Sequence, residues 1–416
     1  MHQKITLPNG ARILTEEIPG ARSASLGFFA GVGSRHEKAA DNGCAHFVEH
    51  MLFKGTQRRT AADLAKDMDA IGGQFNAYTT KEHTCFHGRT LDTHLDRSLD
   101  ILSDMLFHSK FAQEDIETER GVILEEISMY EDVPDDLVSE RLSAAVYKGT
   151  PLARPVLGTQ ATLANVTGES LSAWQKEHYR PGALVAALAG SFTQAQVDRL
   201  VDCLSELEPG PANTFKPAAY RPAVTARKKA IEQNHLILSY EGLTYLDERR
   251  PQLLLLNSLL GGGCSSRLFQ EVREKRGLCY TVYSYASDNE DTGLLGIYTG
   301  TSKEQEDEAL NTIRNVIEDF AEHGPTEEEL ARVKEQAKSS LLMGTESVQS
   351  RMSRLGTGTL LFGRVRETEE LLELYDNVTR EQLRDLAQDI FRPETASLSA
   401  VGRVKTVAEY THWLGR

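Results

Sequence analysis

Residues 178–190 read HYRPGALVAALAG, and residues 390–402 read IFRPETASLSAVG. Both segments place an aromatic residue, an arginine and a proline before an apolar, strand-like run, and their numbering offset is 390 − 178 = 212. Acidic segments that begin at Glu114 and Glu327 repeat at nearly the same offset, 327 − 114 = 213. A shared offset in two separate segments predicts an internal duplication into domains of about 210 residues.

The pattern around these segments predicts that each domain is α+β, a mixed α/β sheet with helices on one side. Two alternating runs flank the turn Pro8-Asn9-Gly10 and predict a hairpin, which a further strand-like run follows. Helical periodicity begins near Cys44. Further along the chain, the pattern predicts helices over residues 60–72, 92–107 and 113–131 and a strand over residues 74–90.

The boundary between the two domains is predicted in residues 206–224, which read ELEPGPANTFKPAAYRPAV and show no sustained period. The fold class is therefore two homologous α+β domains produced by duplication. The first covers residues 1–205, the linker covers 206–224, and the second covers 225–416.

Composition excludes several classes of protein. The 416 residues include 46 Lys and Arg against 61 Asp and Glu, a net charge of −15, with 40% hydrophobic residues. This is a globular composition, and the charge argues against nucleic acid as a partner but favours basic peptides. Five scattered cysteines form no CxxC pair, and no apolar run has the ~20 residues of a membrane span. We expect a cytoplasmic protein, although a presequence removed on maturation would leave no trace.

The chemistry is concentrated in residues 44–53, CAHFVEHMLF, within a segment of helical period. On a helix, His46 and His50 are one turn apart, so both imidazoles can bind one metal ion. Glu49 lies beside them and can take a proton from water activated by zinc. This HxxEH order is the reverse of HExxH and is the inverzincin signature. The sequence predicts one zinc ion per chain.

A third ligand is needed, because two histidines and a water leave a catalytic zinc site incomplete. The predicted helix over residues 113–131 offers as candidates Glu117, Glu119, Glu125, Glu126 and Glu131. Glu119 and Glu126 are two helical turns apart and share one face, whereas Glu125 points about 100° away from Glu126. Spacing alone does not identify the ligand among these acids.

Four segments together resemble the pitrilysin/insulinase family of zinc peptidases, in particular the β subunit of mitochondrial processing peptidase and its bacterial homologues. They are HFVEHMLFKGT (46–56), GGQFNAYTTKEHTCF (72–86), ERGVILEEI (119–127) and RLFQEVREKRGLCYTVYS (267–284). The resemblance implies that His46, His50 and Glu126 bind zinc and that Glu49 is the general base. It also implies that Glu119 orients a ligand histidine.

The resemblance further implies a set of substrate contacts. Asn76, Ala77 and Tyr78 would lie on a strand edge that pairs with an extended peptide. Phe53 would line an apolar pocket for the residue after the scissile bond.

Charged and aromatic residues would complete the cleft. Asp136 and Glu140, one helical turn apart, would bind an arginine before the cleavage site. Arg273 and Tyr280 match a pair that the family places at the cleft, with Tyr280 a donor to the oxyanion.

The second half lacks the metal signature. An offset of 213 carries Glu119 and Glu126 to Arg332 and Ser339, and residues 257–262 read NSLLGG. The resemblance also implies a dimer, homo or hetero, that closes like a clam-shell around unfolded peptides, with a homodimer expected. Two alternatives stay open: a non-catalytic subunit of a hetero-oligomeric processing complex, and a peptidase that needs a glycine-rich loop from a partner. Residues 261–263 supply such a loop in this chain.

Overall fold

The computed structural model describes residues 2–416, which form two β-sheets accompanied by helices. The strands are β1 (Gln3–Thr6), β2 (Arg12–Glu17), β3 (Ser23–Ala30), β4 (Gln74–Thr79), β5 (Thr84–Leu91), β6 (Leu184–Gly190), β7 (Val224–Lys228), β8 (Asn234–Glu241), β9 (Cys279–Asp288), β10 (Gly293–Thr301) and β11 (Ser397–Gly402). The α-helices are α1 (Cys44–Leu52), α2 (Ala61–Ala70), α3 (Leu95–His108), α4 (Gln113–Asp132), α5 (Pro134–Val146), α6 (Gln160–Leu163), α7 (Gly168–His178), α8 (Gln194–Ser205), α9 (Arg250–Gly261), α10 (Glu306–His323), α11 (Glu327–Gly344), α12 (Val348–Phe362), α13 (Thr368–Asp376), α14 (Arg380–Ile390) and α15 (Val407–Trp413).

The first sheet has the strand order β1-β2-β6-β3-β5-β4. Strands β1 and β2 form the predicted N-terminal hairpin, in whose turn the side-chain oxygen of Asn9 accepts the backbone N–H of Ala11. Gly10 has a φ of 100° there, a conformation that favours glycine. Strands β2 and β6 pair in parallel, and the other neighbours are antiparallel. Strand β4 is at the edge, next to β5.

The second sheet, β7-β11-β8-β10-β9, repeats five of these six positions. Each sheet contains one parallel pair, β2 with β6 or β7 with β11, followed by antiparallel strands. Strands β6 and β11 contain the two repeated apolar runs. The helices that precede them, α7 and α14, begin at positions with the same numbering offset, 380 − 168 = 212. The predicted duplication of an α+β domain is confirmed.

The first sheet is covered on both faces. Because side chains alternate along a strand, Leu26 and Phe28 of β3 pack with α1, α3 and α7, whereas Phe29 packs on the opposite face. There it meets Met352 and Leu355 of α12, which are fully buried. Burying a side chain of this size stabilises the fold by about 1.5–3 kcal/mol.

The second sheet shows the same arrangement with a different helix. Leu238 of β8 packs in the core formed with α9, α10 and α14. Its neighbour Ile237 points to the other face, where Leu142 and Val146 of α5 are buried. The expectation of helices on one side of each sheet is therefore wrong, because α5 and α12 cover the second faces.

The two compact units consequently do not follow the order of the chain. One consists of residues up to Ile127, Arg154–Lys216 and Leu342–Arg366, and the other of Ser128–Ala153, Pro217–Leu341 and Glu367–Arg416. The predicted ranges, 1–205 and 225–416, are each one continuous segment. In the structure, the segment that contains α5 belongs to the unit of the second sheet, and the segment that contains α12 belongs to the unit of the first sheet. An amphipathic helix carries no local signal of which sheet it will cover, so the chain pattern could not predict this exchange.

Residues 74–90 form two strands rather than the single predicted strand. The turn Thr80–His83 joins β4 to β5, and the hydroxyl of Thr80 accepts the backbone N–H groups of Glu82 and His83. The proline-rich segment 206–223 contains no helix or strand, and β7 begins at Val224. Within residues 2–416, no helix combines the length and apolar character needed to cross a membrane.

Candidate metal centre

Helix α1 begins on a buried carboxylate. Glu37 is 4% exposed and accepts the backbone N–H groups of Gly43 at 2.9 Å and Ala45 at 2.8 Å, as well as the side-chain amide of Asn42 at 2.9 Å. The first N–H groups of a helix have no partner within the helix, and an acid there satisfies them. Burial raises the pKa of Glu37 to about 7. The hydrogen bonds to Glu37 therefore hold the first residues of α1 in place.

The structure brings His46, His50 and Glu126 together. The two imidazole rings on α1 have centroids 4.5 Å apart. Glu126 of α4 places Oε2 3.6 Å from His46 Nε2 and 3.7 Å from His50 Nε2. One ligand atom from each residue lies within 4.8 Å of the others, and no other such group of His, Cys, Asp or Glu occurs in residues 2–416.

These distances and charges fit a zinc ion. Tetrahedral ligands about 2.0–2.2 Å from zinc lie roughly 3.4 Å from one another, close to the separations observed. Burial, followed by the charge of His50, lowers the pKa of His46 to about 3, so this imidazole is neutral as a ligand must be. Burial also raises the pKa of the carboxyl groups of Glu49 and Glu126. A bound dication would place a positive charge next to these two carboxylates and so stabilise their ionised forms.

Glu119 connects a histidine to a lysine. It is buried, with Oε2 3.0 Å from His50 Nδ1 and Oε1 2.5 Å from the ammonium of Lys54. A hydrogen bond from Nδ1–H to the carboxylate leaves the lone pair on Nε2 of His50, the atom that faces Glu126. His46 Nδ1 is buried without a hydrogen-bond partner in the described chain. Glu119 therefore contacts one of the two histidines, His50, at the ring nitrogen opposite to the one that faces Glu126.

Glu49 stands next to this cluster and is held from a strand. The hydroxyl of Thr79, at the end of β4, donates to Glu49 Oε2 at 2.5 Å. Desolvation by burial is the main cause of the raised pKa of Glu49, and the bond from Thr79 opposes it. The carboxylate thus faces both the metal cluster and the edge strand.

The residues predicted to contact substrate near the cluster lie on two elements. Phe53 follows α1 and is half-buried against the core of its unit. Asn76 and Tyr78 are exposed on edge strand β4, while Ala77 between them is half-buried. Strand alternation explains this division, since neighbouring residues point to opposite faces. Their roles remain predictions.

The other predicted contacts belong to the second unit. The guanidinium carbon of Arg273 is 4.7 Å from the ring of Phe269 and 4.8 Å from that of Tyr280, which is 74% exposed. Asp136 lies in the first turn of α5 and Glu140 one turn later. Burial, then the charge of Asp135, raises the pKa of Asp136. The roles of Asp136, Glu140, Arg273 and Tyr280 in a cleft remain predictions.

Sequence reasoning missed three residues that support the cluster, namely Glu37, Lys54 and Thr79. Lys54 is four positions beyond His50, a spacing that places it one turn further along and could have suggested a charge near Glu119. Thr79 and Ala77 are alternate residues of β4, a period that puts both on one face. Nothing in the sequence pairs Glu37 with the start of α1, because the contact depends on the path of residues 38–43.

Comparison with known proteins identifies the class to which this arrangement belongs. Residues 12–160 match the family described as Insulinase (Peptidase family M16), and residues 165–337 match the Peptidase M16 inactive domain. The chain is 41% identical to the uncharacterized zinc protease YmxG of Bacillus subtilis over 95% of this chain and 97% of that protein. It is 42% identical to an uncharacterized zinc protease of Streptomyces coelicolor, over 97% and 90% respectively.

Solved structures show the same fold. A Pseudomonas fluorescens structure described as a peptidase M16 inactive domain matches with a TM-score of 0.91 at 22% identity, over 97% of this chain and 99% of that one. A protease from Helicobacter pylori matches with a TM-score of 0.87 at 21% identity, over 97% and 99%. The chain belongs to the insulinase family of peptidases, peptidase family M16, and the two relatives above are named zinc proteases.

Proposed function

We propose that this chain is an active zinc endopeptidase that hydrolyses extended peptides. The observation that carries the proposal is the joint placement of His46, His50 and Glu126 as a ligand set with Glu49 beside it. A non-catalytic subunit has no need of a ligand set and a neighbouring carboxylate in one place. The complete set therefore favours catalysis over a scaffold role.

The residues have separate tasks in this mechanism. When bound by His46, His50 and Glu126, zinc supplies Lewis acidity and lowers the pKa of water to about 7. Glu49 takes a proton from the attacking water at its carboxylate and later passes it to the amine of the leaving peptide. Glu119 holds His50 in the tautomer whose Nε2 can bind metal. The family resemblance supports Arg273 and Tyr280 as cleft residues, with Tyr280 as a hydrogen-bond donor to the developing oxyanion.

The substrate class follows from the edge strand and the charge. Strand β4 exposes Asn76 and Tyr78 at the edge of its sheet, a geometry to which an extended backbone can add as a further strand. The net charge of −15 attracts basic segments, and Asp136 with Glu140 offers carboxylates for an arginine. Unfolded, presequence-like basic peptides are the proposed substrates. The proposed assembly is a homodimer.

Metal content and cleavage test the proposal directly. The purified chain is expected to hold one zinc and to cleave a quenched basic peptide, and o-phenanthroline should abolish cleavage. Glu49→Gln should retain zinc while kcat falls by about 10²–10⁴-fold, because it removes general-base help. A Glu49→Gln enzyme with full zinc and full kcat would contradict the role of Glu49.

The alternative outcomes are also informative. Zinc without cleavage by the chain alone, but cleavage after a partner chain is added, would support the hetero-oligomeric processing complex. A chain that neither binds zinc nor cleaves would support the non-catalytic subunit. Sedimentation analysis of the same sample measures whether the chain is a homodimer.

A further inference from the structure

Thr79 joins the edge strand to the candidate general base. It is the last residue of β4, and the alternation of that strand places it on the half-buried face with Phe75 and Ala77. Its Oγ1 lies 2.5 Å from Glu49 Oε2. This separation is typical of a hydroxyl that donates to an ionised carboxylate, which is a strong class of hydrogen bond.

Neighbouring groups fix the direction of this hydrogen bond. The paired residue on β5 is Thr84, whose hydroxyl donates to the backbone oxygen of Val32 at 2.9 Å and lies 3.4 Å from Thr79 Oγ1. The proton of Thr84 is therefore already committed. An ionised carboxylate can only accept, so the proton of Thr79 points to Glu49 Oε2.

The bond constrains a flexible side chain where its position matters most. A glutamate has three rotatable bonds, and ordering such a side chain costs conformational entropy. With Oε2 held by Thr79, the other oxygen, Oε1, is the one that can take the proton from water. Productive geometry for such a group is confined to roughly 0.5 Å and 10–20°.

We propose that Thr79 is a positioning residue, whose hydroxyl fixes the Glu49 carboxylate to the end of the strand that pairs with the substrate. The peptide register and the base are then set by one element, β4. The inference rests on the proposed peptidase function. It adds to that function a reason why the edge strand ends at a hydroxyl-bearing residue.

Three variants test the inference. Thr79→Val keeps the shape of the side chain and removes the hydroxyl, and Thr79→Ser keeps the hydroxyl. Thr90→Val is the matched control, because Thr90 on β5 is buried and its hydroxyl has no hydrogen-bond partner among residues 2–416. Each variant is assayed for kcat and KM on the quenched peptide and for zinc affinity by competition with a chromogenic chelator.

A specific pattern of effects is expected. Thr79→Val should lower kcat by about 10–10²-fold, the size of effect that a misplacement of about 1 Å can produce, with KM and zinc affinity within about twofold of wild type. Thr79→Ser should restore most of kcat, and Thr90→Val should leave it unchanged. Equal losses in the Val and Ser variants, an undiminished kcat in Thr79→Val, or a loss of zinc would overturn the inference.

A structural readout separates this inference from the proposed function. Crystal structures of the zinc-loaded wild type and Thr79→Val should show the Glu49 carboxylate ordered in the first and displaced or disordered in the second. If wild type shows no zinc-dependent cleavage, the proposed function fails, yet the two structures still decide the role of Thr79. A Glu49 carboxylate in the same place in both would overturn the inference.

Discussion

Helices α1 and α9 occupy the two halves of a duplicated chain, but their sequences differ in what they bury. Helix α1 buries His46 among apolar neighbours and starts on the carboxylate of Glu37. Helix α9 buries five leucines, and the carboxylate that accepts a backbone N–H at its start, that of Asp247, is only half-buried. Its last residues, within NSLLGG, contain neither histidine nor acid. The same scaffold thus packs around a polar cluster in one half and around leucine in the other.

The partner helices differ in the same way. Helix α4 carries Glu119 and Glu126, and the positions on α11 at the repeat offset of 213 are Arg332 and Ser339. Both helices begin with acidic residues in their first turn. The two halves therefore share the acidic helix start but not the acids at the positions of Glu119 and Glu126. A duplicated fold therefore does not itself create a metal centre. The candidate metal centre depends on a small number of side chains on two helices.

The largest effect that tests this comparison is expected from Glu126→Gln. It removes a charged ligand atom 3.6–3.7 Å from both histidines, so zinc affinity should fall by more than about 10²-fold, beyond the loss seen when only supporting groups are changed. Chelator competition measures the loss. Glu125→Gln, one position away on α4, and Ser339→Ala in the second half are the controls and should bind zinc normally. A normal zinc affinity in Glu126→Gln would refute its role as a ligand.

Helices α5 and α12 provide the next test, because each packs on the sheet formed by the other half of the chain. Met352→Ala on α12 and Leu142→Ala on α5 remove buried side chains, and each should lower the free energy of unfolding by about 2–5 kcal/mol. Denaturant titration measures both. Met343→Ala on α11 changes a side chain that is 63% exposed and should shift stability by less than about 0.5 kcal/mol. If α12 contributed nothing to the first sheet, Met352→Ala would resemble this control.

A smaller effect is expected from Glu119→Gln, which supports a ligand without being one. Loss of its charge weakens the contacts with His50 Nδ1 and Lys54, and zinc affinity should fall by about 10–100-fold. Glu117→Gln on the exposed side of α4 is the matched control. An unchanged affinity in Glu119→Gln would mean that the tautomer of His50 is fixed by another group.

The last test concerns Glu37, the buried carboxylate at the start of α1. The pKa of Glu37 is about 7 in the folded chain against an ordinary value of 4.5, so the folded state keeps a proton that the unfolded state releases between these pH values. The contribution of Glu37 to stability is therefore present below about pH 4.5 and is lost as the pH rises to about 7. Urea titrations across this range should show a shallower decline in Glu37→Gln. Parallel declines in the two proteins would argue against this titration.

The candidate site shows how far a single sequence can be interpreted. The i, i+4 spacing of His46 and His50 predicted their shared face, because helix geometry alone determines it. The choice of Glu126 over Glu125 and Glu119 needed family resemblance, since spacing left several acids open. Thr79 and Glu37 were missed because each contact joins elements far apart in the chain or depends on a loop path.

The sequence by itself determined the duplication, the N-terminal hairpin, the first four helices and the placement of His46 and His50 on one helical face, because these depend on local periodicity and on repeats along one chain. Tertiary structure alone decided three other features. Helices α5 and α12 each cover the sheet formed by the other half of the chain, and residues 74–90 fold back into two strands. The carboxylate of Glu49 accepts a hydrogen bond from the hydroxyl of Thr79 on a strand. These depend on packing between distant segments. An amphipathic pattern gives the apolar face of an element but not the partner that it covers.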